Sequence, residues 1–130
     1  MEQGNRELPL VLICDDSIIA RNSLKNMLLN EKCTIELAID GIDSLKKISD
    51  LNPDLVLLDL LMPGMSGLEV LENLKKLEIS LPIVVISADI QTSTKKMCAD
   101  LGAVDFLNKP PKILDIITTF RRLTNTKGDV

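Results

Sequence analysis

The chain has no histidine, no tryptophan and no tyrosine, and its aromatics are two phenylalanines. Without histidine the usual general base at neutral pH is missing, and the chain carries no phosphohistidine of its own. Three cysteines, Cys14, Cys33 and Cys98, form no CxxC pair and have no histidine beside them, so zinc chemistry and a cysteine–histidine dyad are excluded. They read as small buried hydrophobes. No run approaches the roughly 20 apolar residues of a membrane span. The segment Met1–Glu7 is polar and lacks the apolar core of a signal peptide. Basic residues are also short, 15 against 19 acidic ones for a net charge of -4, and they are scattered. The electrostatic pull toward a phosphate backbone is therefore absent, and a cytoplasmic protein without nucleic-acid or membrane partners is expected.

What remains is 130 residues, 45% hydrophobic and 26% charged. That suits one globular domain and leaves no room for a second core. The expected domain is 8–124, with short flexible tails at 1–7 and 125–130 and no output domain. The stretch from Pro53 to Gly67 organises the rest. Leu55 to Leu58 form an apolar run too short for a helix and without alternation, which predicts a strand buried on both faces, ending on Asp59. A second such run, Leu8 to Cys14, ends on Asp15 and Asp16. Further strands are predicted at Cys33–Ile39, Pro82–Ile86 closing on Ser87, and Ala103–Leu107.

Between them lie helical patterns. Ser17 caps a helix with Ala20, Leu24, Met27 and Leu28 inward; Asp40-Gly41 opens one with Ile42, Leu45 and Ile48 inward. Ser66 and Glu69 have the spacing of a capping box before a stripe of Leu68, Leu71, Leu74 and Leu77. Asp89 to Gly102 reads as a helix with a weakly held first half. The last helix carries Pro111 in its first turn and Ile113, Ile116, Ile117 and Phe120 inward. Five strands alternating with five helices predict an α/β fold, a doubly wound five-stranded parallel sheet of order 2-1-3-4-5 with helices on two faces. In that order the switch point lies between the first and third strands, the two that end in carboxylates.

Asp15, Asp16, Asp59, Ser87 and Lys109 then share one rim of the sheet. Three carboxylates drawn together repel unless a cation joins them, so the set calls for a divalent metal as well as Lys109. Mg2+ fits best, because it prefers hard oxygen ligands and is usually held by one or two carboxylates together with a phosphoryl group.

Asp15-Asp16, Asp59 with Met62-Pro63 and Gly67 behind it, Ser87-Ala88, and Phe106-Leu107-Asn108-Lys109-Pro110 together resemble the receiver domain of two-component response regulators. Ala38-Ile39-Asp40-Gly41 and Gly102-Ala103-Val104-Asp105 match segments typical of that family, and the likeness runs from about Leu10 to Leu123. It implies a flavodoxin-like fold and a stand-alone, chemotaxis-regulator-like phosphorylation switch rather than a turnover enzyme. Asp59 is then the phosphoacceptor for a phosphohistidine on a sensor histidine kinase or histidine phosphotransfer protein. Asp16, Asp59 and the backbone carbonyl of Leu61 are implied as Mg2+ ligands, with Asp15 acting largely through water and Mn2+ an acceptable substitute. Lys109 is implied to pair with a phosphoryl oxygen, Ser87 to donate its hydroxyl to it, and Phe106 to turn inward as Ser87 moves. The output surface is then the fourth helix, fifth strand and fifth helix, facing a downstream protein, in a monomer or a phosphorylation-dependent dimer.

The sequence departs from the family pattern in places. Leu61 is apolar where many relatives are polar, Phe106 lacks a phenolic hydroxyl, and Pro111 follows a Lys109-Pro110 bond that the resemblance predicts to be cis. Taken singly the residues have plainer readings: Asp15-Asp16 as a helix cap, Asp59 as a turn residue, Ser87 as a cap, Lys109 as a surface lysine, Phe106 as core filling. Lys95, Lys96, Lys112, Arg121 and Arg122 likewise read as a solvated face before a basic docking surface. Two other functions stay in view, a metal-dependent phosphatase with an aspartyl-phosphate intermediate and a vestigial receiver used only for interaction. Leu61 stands where the first often has a second aspartate. Against the second, no site residue is missing.

Overall fold

The computed structural model describes residues 6–89 and 91–125. The expected tails fall largely on residues 1–5 and 126–130, outside the described residues, as does Ile90 within the fourth helical segment. Among the described residues, β1 (Leu10–Cys14), β2 (Thr34–Ala38), β3 (Leu55–Asp59), β4 (Ile83–Ser87) and β5 (Asp105–Asn108) alternate with α1 (Ile18–Met27), α2 (Gly41–Leu51), α3 (Gly67–Lys76), α4 (Thr92–Asp100) and α5 (Ile113–Thr124). The strands are parallel, as the alternation of patterns predicted, and lie in the order β2-β1-β3-β4-β5 expected from a switch point between the two strands that end in carboxylates.

The continuous apolar runs are central strands: every residue of β1, β3 and β4 is buried. Because side chains alternate across a strand, each run feeds two cores. Leu12, Cys14, Val56, Leu58 and Val85 face α2, α3 and α4. Val11, Ile13, Leu55, Leu57, Val84 and Ile86 face α1 and α5, where Leu24, Leu28, Ile116 and Phe120 close over them. The edge strands differ in pattern, β2 alternating between exposed and covered positions and β5 only half-buried.

Local chemistry sets the helix starts. The Ser17 hydroxyl accepts from Ala20 N, and the Asp40 carboxylate accepts from Asp43 N. Ser66 and Glu69 form the reciprocal capping box in full. Helix α4 is the exception, with no side-chain cap at Gln91 and Cys98 as its buried residue.

Several inward positions are corrected. Ile42 is 64% exposed, because α2 turns Gly41, Ser44 and Ile48 to the core and a residue one step away on a helix points about 100° elsewhere. Leu77 is 58% exposed because α3 ends at Lys76, its buried face being Val70, Leu71 and Leu74. Ile113, the first residue of α5, is 51% exposed at the helix end. Pro111 precedes the helix instead of entering its first turn, since the extended Lys112 is the N-cap. Cys14 and Cys98 are buried, whereas Cys33 is half-buried. Strand limits also shift: Leu8, Pro9, Cys33, Ile39, Pro82, Ala103 and Val104 lie outside the ladders, and β5 extends to Asn108.

Truncating Leu57, which packs beneath Asp59 with Phe120 in its core, is expected to cost about 2–5 kcal/mol in urea unfolding. Ser66→Ala, which removes a cap from an exposed turn, should cost only about 1 kcal/mol.

Candidate functional site

The register brings the site together. Cys14 pairs with Leu58 across β1 and β3, so the residues that follow them, Asp15 and Asp59, emerge side by side. Asp59 is level with Ile86 on β4, and Ser87 is level with Asn108 on β5, which puts Lys109 next along the same rim. A backbone bond from Lys109 N to Ser87 O (2.9 Å) fixes the two strand ends together. The Lys109-Pro110 bond is cis, as the resemblance predicted.

Asp15 and Asp59 are 2% and 5% exposed, and Asp16 beside them is open to solvent. Carboxylate oxygens of all three lie within 4.8 Å of one another. Lys109 Nζ is 2.8 Å from Asp15 Oδ2 and 3.3 Å from Asp59 Oδ2. One ammonium thus contacts two of the three carboxylates, which leaves the rim with more negative than positive charge.

The electrostatics follow from that count. Burial, and then the neighbouring Asp15, push the Asp59 carboxyl above the usual carboxylate range, while Lys109 and the Leu61 N–H (3.4 Å to Asp59 Oδ1) pull it only part of the way back. For Lys109, burial works to lower the ammonium pKa, but the Asp15 hydrogen bond and the charge of Asp59 outweigh it and the net shift is upward. The anion at Asp59 is thus disfavoured by its burial, while the cation at Lys109 is favoured by its partners.

Ser87 is buried at the end of β4, and its oxygen accepts from Asp89 N at 3.1 Å. Asp89 in turn accepts from Gln91 N and from the Thr94 hydroxyl at 2.8 Å, so the first turn of α4 is tied back toward Ser87. These two bonds lower the Asp89 pKa. Phe106 is half-buried against the core under α2, α3 and α4, with Lys95 Nζ 5.5 Å from its ring centre, a cation–π distance. Leu61, by contrast, is 75% exposed beside the carboxylates.

Two supports were missed in the sequence. Arg21 donates to the Asp15 carbonyl at 2.8 Å, and Ser17 N donates to Asp15 Oδ1 at 2.9 Å, so the loop after β1 is held from α1. The signal was present: Arg21 sits four residues after the cap Ser17, one turn along the same face. Asp89 gave no such signal, because its partners depend on how the chain turns after β4.

A model of the response regulator receiver domain matches residues 11–121 of this chain. The chain belongs to the response regulator receiver family. Over 113 residues the receiver is 36% identical to the response regulator MprA of Mycobacterium ulcerans (strain Agy99), an alignment that covers 87% of this chain and 49% of that protein. It spans about half the length of the curated relatives it matches. Among solved structures it is similar to the Francisella response regulator 1452 receiver domain, with a TM-score of 0.85, 29% identity, and 90% of this chain and 97% of that one covered. It is likewise similar to the receiver domain of NtrX from Brucella abortus, with a TM-score of 0.80, 32% identity, and 90% and 99% covered. Among the described residues, no helix of the receiver is long and apolar enough to cross a membrane.

The raised Asp59 pKa means the folded receiver binds that proton more tightly than the unfolded chain. Its contribution to stability therefore falls as pH rises from the ordinary carboxylate range through the folded value. In metal-free buffer Asp59→Asn should be more stable than the parent at neutral pH, with the gap closing in acid. Urea midpoints across that range test it, and an equally stable or less stable variant at neutral pH contradicts it.

Proposed function

We propose that this receiver, residues 8–124 as a unit, is a cytoplasmic phosphorylation switch. Asp59 accepts a phosphoryl group from a phosphohistidine on a sensor histidine kinase or histidine phosphotransfer protein. A carboxylate oxygen of Asp59 forms the new P–O bond as the P–N bond breaks, and the electron pair leaves with the imidazole of the donor. The observation that carries this reading is the paired contact of Lys109 with Asp15 and Asp59, which holds the acceptor at the rim and places an ammonium where charge would gather on the phosphoryl oxygens.

The donor set fits Mg2+: three hard carboxylate oxygens within 4.8 Å, one lysine against them, and no nitrogen or sulfur ligand in the group. Asp16, Asp59 and the Leu61 backbone carbonyl would hold it, with Asp15 acting through water, and Mn2+ would serve by the same chemistry. When bound, it neutralises charge on the phosphoryl oxygens. The residues of the chain do the rest. Lys109 exchanges one carboxylate contact for a phosphoryl oxygen. Ser87 already accepts from Asp89 N, so its own proton is free for donation to the phosphoryl group. Movement of Ser87 pulls on Asp89 and hence on the first turn of α4, while Phe106 and its Lys95 neighbour carry the change to β5.

The output is a downstream protein bound at α4, β5 and α5, with the receiver a monomer or a phosphorylation-dependent dimer. Lifetime of the phosphoryl group is set in part by Leu61, whose exposed apolar side chain impedes the approach of water. The chain turns over no substrate beyond its own phosphorylation and dephosphorylation. The phosphatase alternative lacks the second carboxylate it would place at Leu61.

Incubation with Mg2+ and a small acyl phosphate should add one phosphoryl mass to the parent and none to Asp59→Asn. Absence of label on Asp59 contradicts the proposal, and rapid turnover of many phosphate esters favours the phosphatase. Leu61→Asn should shorten the life of the phosphorylated form several-fold, read by mass over time, and an unchanged or slower loss contradicts the role given to Leu61.

A further inference from the structure

We infer that Gly41 is a positioning residue for the cation site, because the backbone of the β3–α3 loop rests directly on it; this rests on the Mg2+-dependent reading above. A methyl group placed on Gly41 would lie 2.0 Å from the Met65 carbonyl oxygen and 2.7 Å from its carbonyl carbon, where contacts under 3.0 Å force something to move. The obstacle is backbone, so no side-chain rotation relieves it.

Glycine here is not needed for conformation. The positive-φ glycines among the described residues are Gly64 and Gly102, and Gly41 begins α2 with no such requirement. Alanine is the better helix former, so the glycine is explained by the close approach.

The consequence follows from what each side of the contact carries. Helix α2 is fixed at its start by Asp40, which caps Asp43 N at 2.8 Å and accepts the Ser44 hydroxyl at 2.6 Å on its carbonyl. Asp40 follows β2 closely, and Ala38 at the end of β2 receives Asp15 N at 3.1 Å. One side of Gly41 is therefore tied to Asp15. The other side is the loop containing Leu61, fixed at its far end by Gly67 N donating to Leu60 O at 2.9 Å, with the Asp59 carbonyl 2.3 Å from where a Gly67 methyl would lie. The β1–β3 ladder fixes Asp15 beside Asp59, and the seat at Gly41 sets where the loop carrying the Leu61 carbonyl lies against that fixed pair. A side chain at position 41 displaces that loop without touching any proposed ligand.

The test is calorimetric titration of the full chain with Mg2+. Gly41→Ala should bind about tenfold more weakly or worse, while Gly102→Ala, which strains a remote positive-φ turn, should lower stability yet stay within about twofold of the parent. Binding by Gly41→Ala within about twofold of the parent overturns the inference. A parent that binds no Mg2+ overturns the metal reading beneath it, which is a separate result. Where Gly41→Ala fails to fold, Asp40→Ala and Asp40→Ser decide: both lose the charge, but only the first loses the cap that holds Gly41 in place. Weaker Mg2+ binding confined to Asp40→Ala supports the inference, and equal binding by the two overturns it.

Discussion

The crowding of Asp15, Asp16 and Asp59 on one rim, with Lys109 paired to two of them, is the constraint on which this structure turns. Folding forces it: parallel pairing in register sets the ends of β1 and β3 side by side, and both ends carry carboxylates. Buried apolar strands on either side prevent the loops from spreading to relieve the charge. Burial, and after it the neighbouring Asp15, raise the Asp59 pKa, the visible cost of that placement. The site is thus poised for a cation, and a second source of negative charge on Asp59 would change the balance again. That balance is what the proposed switch would use.

Much of this was legible in the chain, and for a physical reason. Continuous apolar runs between turn signals have few fates in a domain of this size, so β1, β3 and β4 followed from pattern, while their order was chosen because its switch point falls between the two strands that end in carboxylates. The polar groups at their ends then fell on one rim without knowledge of any side-chain position. Helix faces were less secure. Ile42 and Ile113 are apolar yet exposed, since a helix end offers apolar residues that nothing covers, and Gly41 and Ser44 did the packing that Ile42 was expected to do. Contacts such as Arg21 with the Asp15 carbonyl and Asp89 with Thr94 depend on loop geometry, which hydropathy does not encode.

The same division shows in how the site is held. Strands position the rim carboxylates by burial on both faces, which makes them stiff. Helix α4 is held differently, by Cys98 in the core, the Asp89 bonds to Gln91 and Thr94, and Lys95 over Phe106. Each of these tethers is individually weak, so a change at Ser87 meets little resistance there. A rigid chemical centre beside a lightly anchored helix is the arrangement a two-state surface requires.

The central claim is that the rim is short of positive charge and that a divalent cation supplies it. The direct measurement is the thermal midpoint of the receiver as a function of Mg2+ concentration, for the parent and for a variant with Asp16 replaced by Asn. The account predicts a midpoint that climbs with Mg2+ in the parent, as single-site binding to the folded state demands, and a much flatter response in the variant. A parent midpoint that does not move with Mg2+, or that moves equally in both proteins, would contradict it.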